Sequence, residues 1–115
     1  MLPADARLRS SDDFRATVRR GVRVSRQTLV LHALRTPRPP ARAGFVVSKA
    51  VGNAVTRNRV KRQLRHLTAE ALATTTTPLD VVVRALPAAS AQPATTLRAD
   101  FWSAWDQSLH RLEAA

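Results

Sequence analysis

The sequence contains no cysteine and no tyrosine, and its 115 residues include only three phenylalanines and two tryptophans. Without cysteine the chain can form no disulfide and no thiolate metal site, and it has no thiol nucleophile. It also has no long apolar run, so it predicts no membrane-spanning helix, which needs about 20 apolar residues. The N-terminal residues lack a basic stretch followed by an apolar one, which predicts that there is no secretory signal and that the protein is cytoplasmic.

Acidic residues are also scarce, with 8 of them against 19 basic residues and a net charge of +11. Residues 7–65 hold 16 of the basic side chains and only two acids, whereas residues 66–115 hold three basic and five acidic ones. All the basic residues except Lys49 and Lys61 are arginines, which favours bidentate contacts with phosphates. A GC-rich genome would explain the preference for arginine but not its clustering. The charge therefore indicates a basic body whose partner is a polyanion.

The hydrophobic pattern predicts a single α+β domain over residues 1–115, with helices packed on one small mixed sheet. The proline-rich segment 35–42 predicts an exposed hairpin-type loop, and Gly21 a stop for the first helix. A strand, the second helix and another strand follow one another from residue 44 to residue 84, which indicates a parallel strand pair. The predicted helices are 11–20, about 54–73 and about 95–112, and the extended segments are 22–24, 28–34, 44–48 and 79–84.

The second helix is the most informative segment, because its apolar residues form one narrow stripe. Val60, Leu64, Leu67 and Ala71 recur at helical spacing. At about 100° per residue, six polar or basic side chains of residues 57–65 cover the remaining circumference. No acid between residues 49 and 65 offsets these charges, whereas an ordinary solvated face mixes both signs. The pattern predicts a nucleic-acid-binding surface.

The run from Gly44 to Arg65 resembles the bacterial ribonuclease P protein component. It combines a buried strand, a Lys-x-x-Gly-x-Ala-Val turn and a helix with Arg-Asn-Arg at 57–59. Arg7-Leu8-Arg9 ahead of Phe14, and Asp80-Val81-Val82-Val83 after the helix, match the family pattern in order and spacing. The resemblance therefore covers nearly the whole chain, up to the last helix.

This resemblance implies an RNA-binding subunit of a ribonucleoprotein endonuclease that removes the 5′ leader from precursor tRNA. The family's catalyst is its RNA subunit, and Mg²⁺ is held mainly by that RNA and by substrate phosphates. The protein is then expected to have no catalytic and no metal-binding residue of its own, and to be a monomer that contacts the RNA subunit and the leader. The family fold has the order α-β-β-β-α-β-α, with a left-handed crossover that departs from the usual right-handed rule.

Two sets of site residues follow from the resemblance. A leader cleft maps onto Phe14, Val18 and His32, although the family often has aromatics where Val18 and His32 stand, and a second lysine where Ala50 stands. A base that stacks on Phe14 would gain about 1–3 kcal/mol, but Phe14 is equally suited to a core contact. The residues that match the family's RNA-binding motif are Lys49, Arg57, Asn58, Arg59, Lys61, Arg62 and Arg65.

Other interpretations have less support in the residues. A structural RNA-binding protein of ribosomal type shares the charge and size, and remains the alternative. A DNA-binding helix-turn-helix needs a helix just before the basic one, where the sequence predicts a strand and a turn. A self-contained ribonuclease could only pair His32 with Lys49 or His110, which is a weak constellation. Trp102 and Trp105 are expected to pack the last helix onto the sheet.

Overall fold

Four helices and four strands make up the structure, a computed structural model that describes residues 2–37 and 39–114. Arg38 of the proline-rich segment lies outside the described residues. The predicted order of elements is confirmed, with one additional helical turn, α3, in the last connection. No helix in these two stretches is long and apolar enough to cross a membrane. The helices are α1 (Ser11–Arg20), α2 (Ala54–Leu72), α3 (Ala88–Ala91) and α4 (Ala94–Ala114), and the strands are β1 (Val22–Ser25), β2 (Leu29–Arg35), β3 (Arg42–Val46) and β4 (Leu79–Ala85).

The strands form one mixed sheet in the order β1-β2-β4-β3. Strand β2 is antiparallel to both β1 and β4, while β3 and β4 are parallel and are joined through α2, as predicted. The exposed loop predicted at 35–42 connects β2 and β3, but the prediction that it closes a hairpin is wrong, because β4 lies between these two strands and separates them. Strand β4 has a nearly continuous apolar run that is buried on both faces, which suits a central position. The consecutive strands that do pair are β1 and β2.

One face of the sheet packs against α2 and α4 to form the core. Alternate residues of β2 and β4, such as Leu31 and Val83, point into it together with the predicted stripe of α2. The ring of Trp105 stacks on Phe101 at a centroid distance of 6.3 Å, and both are buried. Trp102 is partly buried and meets Phe101 edge-on. The last helix therefore packs through its aromatic residues, as expected from the sequence.

Helix α1 covers part of the opposite face, over β2 and β4. Its start is capped by Ser10, whose Oγ accepts a hydrogen bond from the amide of Asp13 at 3.3 Å. The helix ends at Gly21 as predicted, but with a φ of −74°, so the glycine is not needed for a left-handed conformation. A Cβ at this position would lie 2.5 Å from the carbonyl oxygen of Thr17 and 2.6 Å from that of Ala33. Gly21 is therefore required because the chain passes close to both α1 and β2.

Candidate nucleic-acid interface

A tight turn between β3 and α2 positions the basic helix. Gly52 has a φ of 155°, which favours glycine, and a Cβ there would lie 2.9 Å from Cγ2 of Thr56. Asn53 caps α2, since its Oδ1 accepts a hydrogen bond from the amide of Thr56 at 2.9 Å. Val51 is buried in the hydrophobic core and so anchors the turn. Lys49, one of the predicted RNA-binding residues, lies in the 3-10 turn Lys49–Val51 that follows β3, and it is exposed.

The side chains of α2 are exposed in the order that the helical spacing predicts. Arg57 and Lys61, which lie about 60° and 100° from Val60 around the helix, are half-buried beside the apolar stripe. The Nε of Arg57 is enclosed by protein and has no hydrogen-bond partner among the described residues. The exposed residues on the outer side are Asn58, Arg59, Arg62 and Arg65. We call the seven candidates from Lys49 to Arg65, together, the basic face.

Within the described residues, the basic face has no ion pair and no side-chain hydrogen bond. The nearest acid along α2 is Glu70, which pairs with Arg98 of α4 at 3.1 Å and with His66 at 3.5 Å. Because no carboxylate lies among them, the like charges of the basic face repel one another. A polyanion that neutralises them would relieve this repulsion and release its own counterions.

The N-terminal segment adds two further cations beside the basic face. The amide of Leu8 donates a hydrogen bond to the carbonyl oxygen of Ala43 at 2.9 Å, which docks the segment along β3. Leu8 is buried, and its neighbours Arg7 and Arg9 are exposed. These two arginines line a cavity of about 250 Å³ together with Lys61 and Arg65. The alternation of Arg7-Leu8-Arg9 was the signal from which their position could have been predicted.

A second concave surface lies between α1 and the sheet, and we call it the α1 groove. Directly paired residues form a row across its floor, from Gly44 of β3 through Val82 and His32 to Arg23 of β1. With strands about 4.8 Å apart, this row is about 14 Å long. The α1 groove lies on the face of the sheet opposite to the one packed by α2, and the two surfaces meet only at the edge of β3, where Gly44 lines the same cavity as Lys61 and Arg65.

The residues predicted for the leader cleft all lie along the α1 groove, but they occupy two different places in it. Val18 and His32 line a cavity of about 220 Å³. Phe14 lies one helical turn earlier, above Gly44, where a Cβ would be 2.7 Å from Cε2 of the phenylalanine ring. Phe14 is half-buried, so it packs on β3 and also keeps part of its ring accessible.

Two residues of this cavity, Arg23 and Arg84, were missed by the sequence-based prediction. Each is a single arginine that interrupts a valine-rich strand, and strand alternation places both on the face of His32. Burial lowers the pKa of His32, and the positive charges of Arg23 and Arg84 lower it further. His32 is therefore held in its neutral form near neutral pH.

Near the N-terminal end of α1, an ion pair neutralises Arg42 of the sheet. Arg42 of β3 donates two hydrogen bonds to the neighbouring carboxylate of Asp80, at 2.9 and 3.0 Å. Its Nη2 also reaches Asp13 of α1 at 3.2 Å. These contacts, foremost the hydrogen bonds to Asp80, raise the pKa of Arg42. The pair ties α1 to the sheet and leaves the end near Arg23 and Arg84 as the cationic end of the groove.

The resemblance implies magnesium, held mainly by the RNA subunit and by substrate phosphates. Across residues 2–37 and 39–114, no group of three or more His, Asp or Glu side chains is arranged to hold a metal ion. The acids near the α1 groove, Asp13 and Asp80, are both engaged by Arg42. The described residues therefore do not fit a magnesium ion held by the protein alone.

Comparison with protein families and with curated sequences gives matches that are all named for ribonuclease P. The family profile described as "Ribonuclease P" matches residues 2–108. The "Ribonuclease P protein component" of Kocuria rhizophila is 48% identical over 111 residues, covering 96% of this chain and 98% of that protein. The protein of the same name from a Nocardioides species is 52% identical over 103 residues, covering 87% and 88% of the two chains.

Solved structures share the fold at lower sequence identity. The RNase P protein of Staphylococcus aureus superimposes with a TM-score of 0.76 at 23% identity, covering 93% of this chain and 94% of the other. The RNase P protein of Thermotoga maritima also gives a TM-score of 0.76 at 23% identity, covering 88% and 96% of the two chains.

Proposed function

This chain belongs to the ribonuclease P protein family, and from this premise we propose how its two surfaces divide the binding of RNA. As a protein component of ribonuclease P, it acts with the RNA subunit in removing the 5′ leader of tRNA. Membership of this family decides against the alternative of a ribosomal-type structural protein. What remains to be assigned is which residues bind which RNA.

The basic face binds the RNA subunit in this proposal. The observation that supports it most is the row of exposed cations on α2 that have no acidic partner in the described residues. Arginine guanidinium groups bind phosphates bidentately and keep their charge at any physiological pH. Arg7 and Arg9 extend the same surface across β3, so a structured RNA could contact both chain segments at once.

The α1 groove holds the leader. Its floor runs across the four strands for about 14 Å, which gives an extended single strand a continuous path. Phe14 offers the exposed part of its ring at one end, while the nearly buried His32 lines the cavity near the other. A partly exposed aromatic ring such as that of Phe14 can stack on a base with little regard to sequence. The protein would thereby favour precursor over mature tRNA, since only the precursor has a leader.

The chemical step belongs to the RNA subunit in this proposal, with magnesium held by RNA and substrate phosphates. The protein contributes by binding the precursor tRNA and orienting it on the RNA subunit. Holding the two RNAs in place lowers the activation barrier of cleavage through proximity. We also propose that the protein is a monomer, because a charge of +11 opposes self-association. A cytoplasmic location remains a prediction from the sequence.

Reconstitution tests the division of roles. Purified protein added to the cognate RNA subunit should accelerate cleavage of precursor tRNA at low magnesium concentration, where the RNA alone is slow. Protein without the RNA subunit should cleave nothing. Cleavage by the protein alone would contradict the assignment of catalysis to RNA, and a lack of acceleration by the protein would contradict its binding role.

A further inference from the structure

The cavity of about 220 Å³ in the α1 groove has two cations and no acid in its lining, which is Val18, Arg23, Val30, His32 and Arg84. Arg23 is paired directly with His32 across β1 and β2. Arg84 of β4 is paired with Val30, two residues before His32. The two arginines therefore flank β2 from either side and converge on one opening beside the imidazole.

Neither arginine is neutralised within the described residues. The side chains of Arg23 and Arg84 have no ion pair and no hydrogen bond there, whereas Arg42 on the same face is bound by two carboxylates. Both are exposed, so an anion can reach them from solvent. The same sheet face thus has one cation already neutralised and two that remain open.

His32 adds a hydrogen-bond donor between them. Only 5% of the residue is exposed, and its Nδ1 is enclosed without a hydrogen-bond partner. A buried N–H without an acceptor costs about 1–3 kcal/mol, so the neutral ring is best protonated at Nε2 and not at Nδ1. The low pKa of His32 agrees with a neutral ring. Nε2–H and two guanidinium groups then offer only donors, which requires a ligand that supplies negatively charged acceptor oxygens.

The size and position of the cavity select among such ligands. A volume of about 220 Å³ is below the ~300–1,000 Å³ typical of pockets that enclose a whole small molecule. It accommodates a phosphate group with part of a ribose against Val18 and Val30. The floor continues along the sheet to Gly44 beneath Phe14, so the rest of an extended chain has a path.

We propose that Arg23, His32 and Arg84 form a subsite for one backbone phosphate of the single-stranded 5′ leader of precursor tRNA. This inference rests on the proposed role of the α1 groove in holding the leader. The subsite would fix the register of the leader in the groove through its backbone, independently of its sequence.

The test uses the reconstituted holoenzyme and three substrates. These are precursor tRNA with an unmodified leader, mature tRNA without a leader, and a series of precursors in which a neutral methylphosphonate replaces one leader phosphate at a time. The variant is R23A/R84A, and the control is R26A/R35A, which removes the same charge from two arginines that hydrogen bond to α4. Binding is measured at fixed salt, and thermal melts establish that both variants are folded.

The wild-type holoenzyme should bind precursor more tightly than mature tRNA, and R23A/R84A should reduce that preference by about tenfold, the loss expected for one charge-assisted contact. Binding of mature tRNA should not change, and R26A/R35A should behave as wild type. One methylphosphonate position should weaken wild-type binding by a similar factor and have no further effect in R23A/R84A.

A second variant pair tests the imidazole. His32→Gln keeps a terminal amide donor and should retain most of the preference, whereas His32→Leu should lose it. If R23A/R84A and His32→Leu keep the full preference of wild type for precursor, the phosphate subsite is wrong, and this result does not contradict the role of the groove in holding the leader. If the wild-type holoenzyme itself shows no preference for precursor, the role of the groove is wrong. Equal losses for precursor and mature tRNA would also overturn the subsite.

Discussion

At the scale of single residues, the most unusual environment is that of His32. The imidazole is buried at the floor of the α1 groove, its Nδ1 has no hydrogen-bond partner among the described residues, and two arginines lie on the adjoining strands. Burial and both positive charges disfavour the imidazolium, so the pKa of His32 is lowered in the folded protein. In the unfolded chain the same side chain titrates at its usual value of about 6.5. The folded state therefore takes up this proton less readily than the unfolded state.

This difference predicts a loss of stability on acidification. Above about pH 6.5 the side chain is neutral in both states and contributes no pH dependence. Below that pH the unfolded state binds the proton first, so the free energy of unfolding should fall by at most about 1.4 kcal/mol per pH unit until the folded pKa is reached. Urea unfolding between pH 7.5 and 5 should reveal this slope in wild type and a shallower one in His32→Gln. The matched control is His110→Gln, which replaces an exposed imidazole of α4.

At the scale of elements, α2 combines two roles on one helix. Its apolar stripe is buried against the sheet and α4, which fixes the rotation of the helix about its axis. Gly52 and the Asn53 cap determine where its first turn begins. The rotation and the starting point together decide which cations face outward, so the basic face is a consequence of how the opposite side packs.

The basic face should dominate the salt dependence of RNA binding. Each neutralised phosphate contributes about 0.7–0.9 to the slope of log K against log salt concentration, so replacing Arg57, Arg59 and Arg62 by alanine should flatten the slope by about 2–3. The slope is measured by filter binding of the wild-type and variant proteins to the RNA subunit over a series of salt concentrations. The matched control removes three arginines whose side chains are hydrogen-bonded elsewhere, Arg26, Arg35 and Arg111. A slope equally steep in R57A/R59A/R62A and wild type would place the interface on another surface.

At the scale of the whole molecule, positive charge is concentrated on two separate surfaces. The basic face and the cationic end of the α1 groove lie on opposite sides of the sheet, and few acids remain to offset them. Asp13 and Asp80 are already engaged by Arg42, and Glu70 by Arg98. The net charge of +11 therefore acts against the compact state until anions bind.

Anions that bind the folded protein should accordingly stabilise it. By mass action, a ligand at a concentration of 100 times its Kd adds about 2.7 kcal/mol to the free energy of unfolding. We expect the melting temperature to rise with sulfate concentration, and to rise more than in sodium chloride of the same ionic strength, which only screens the charges. A melting temperature that responds equally to both salts would show that screening alone is responsible.

Much of this organisation could be predicted from local patterns. The bounds of α1 and α2, the buried stripe of α2 and the packing of Trp105 all follow from side-chain periodicity within one element. The concentration of positive charge between residues 7 and 65, with no acid along the start of α2, is likewise a property of the sequence. These features concern residues close to one another in the chain, where geometry is set by the helix or strand itself.

Features that join distant residues were decided only by the tertiary structure. The hairpin expected at 35–42 was wrong because the order of strands depends on which pairs bury most apolar surface, and alternation along one strand does not specify its neighbours. The same strand order brings Arg23, His32 and Arg84 to one cavity, and pairs Arg42 with Asp80 across 38 residues. The sequence by itself determined that the protein is a cationic binder of RNA with a basic helix. Only the packing of α1 and the strands decided which arginines are paired with acids and which remain unpaired within the described residues, because that depends on long-range contacts.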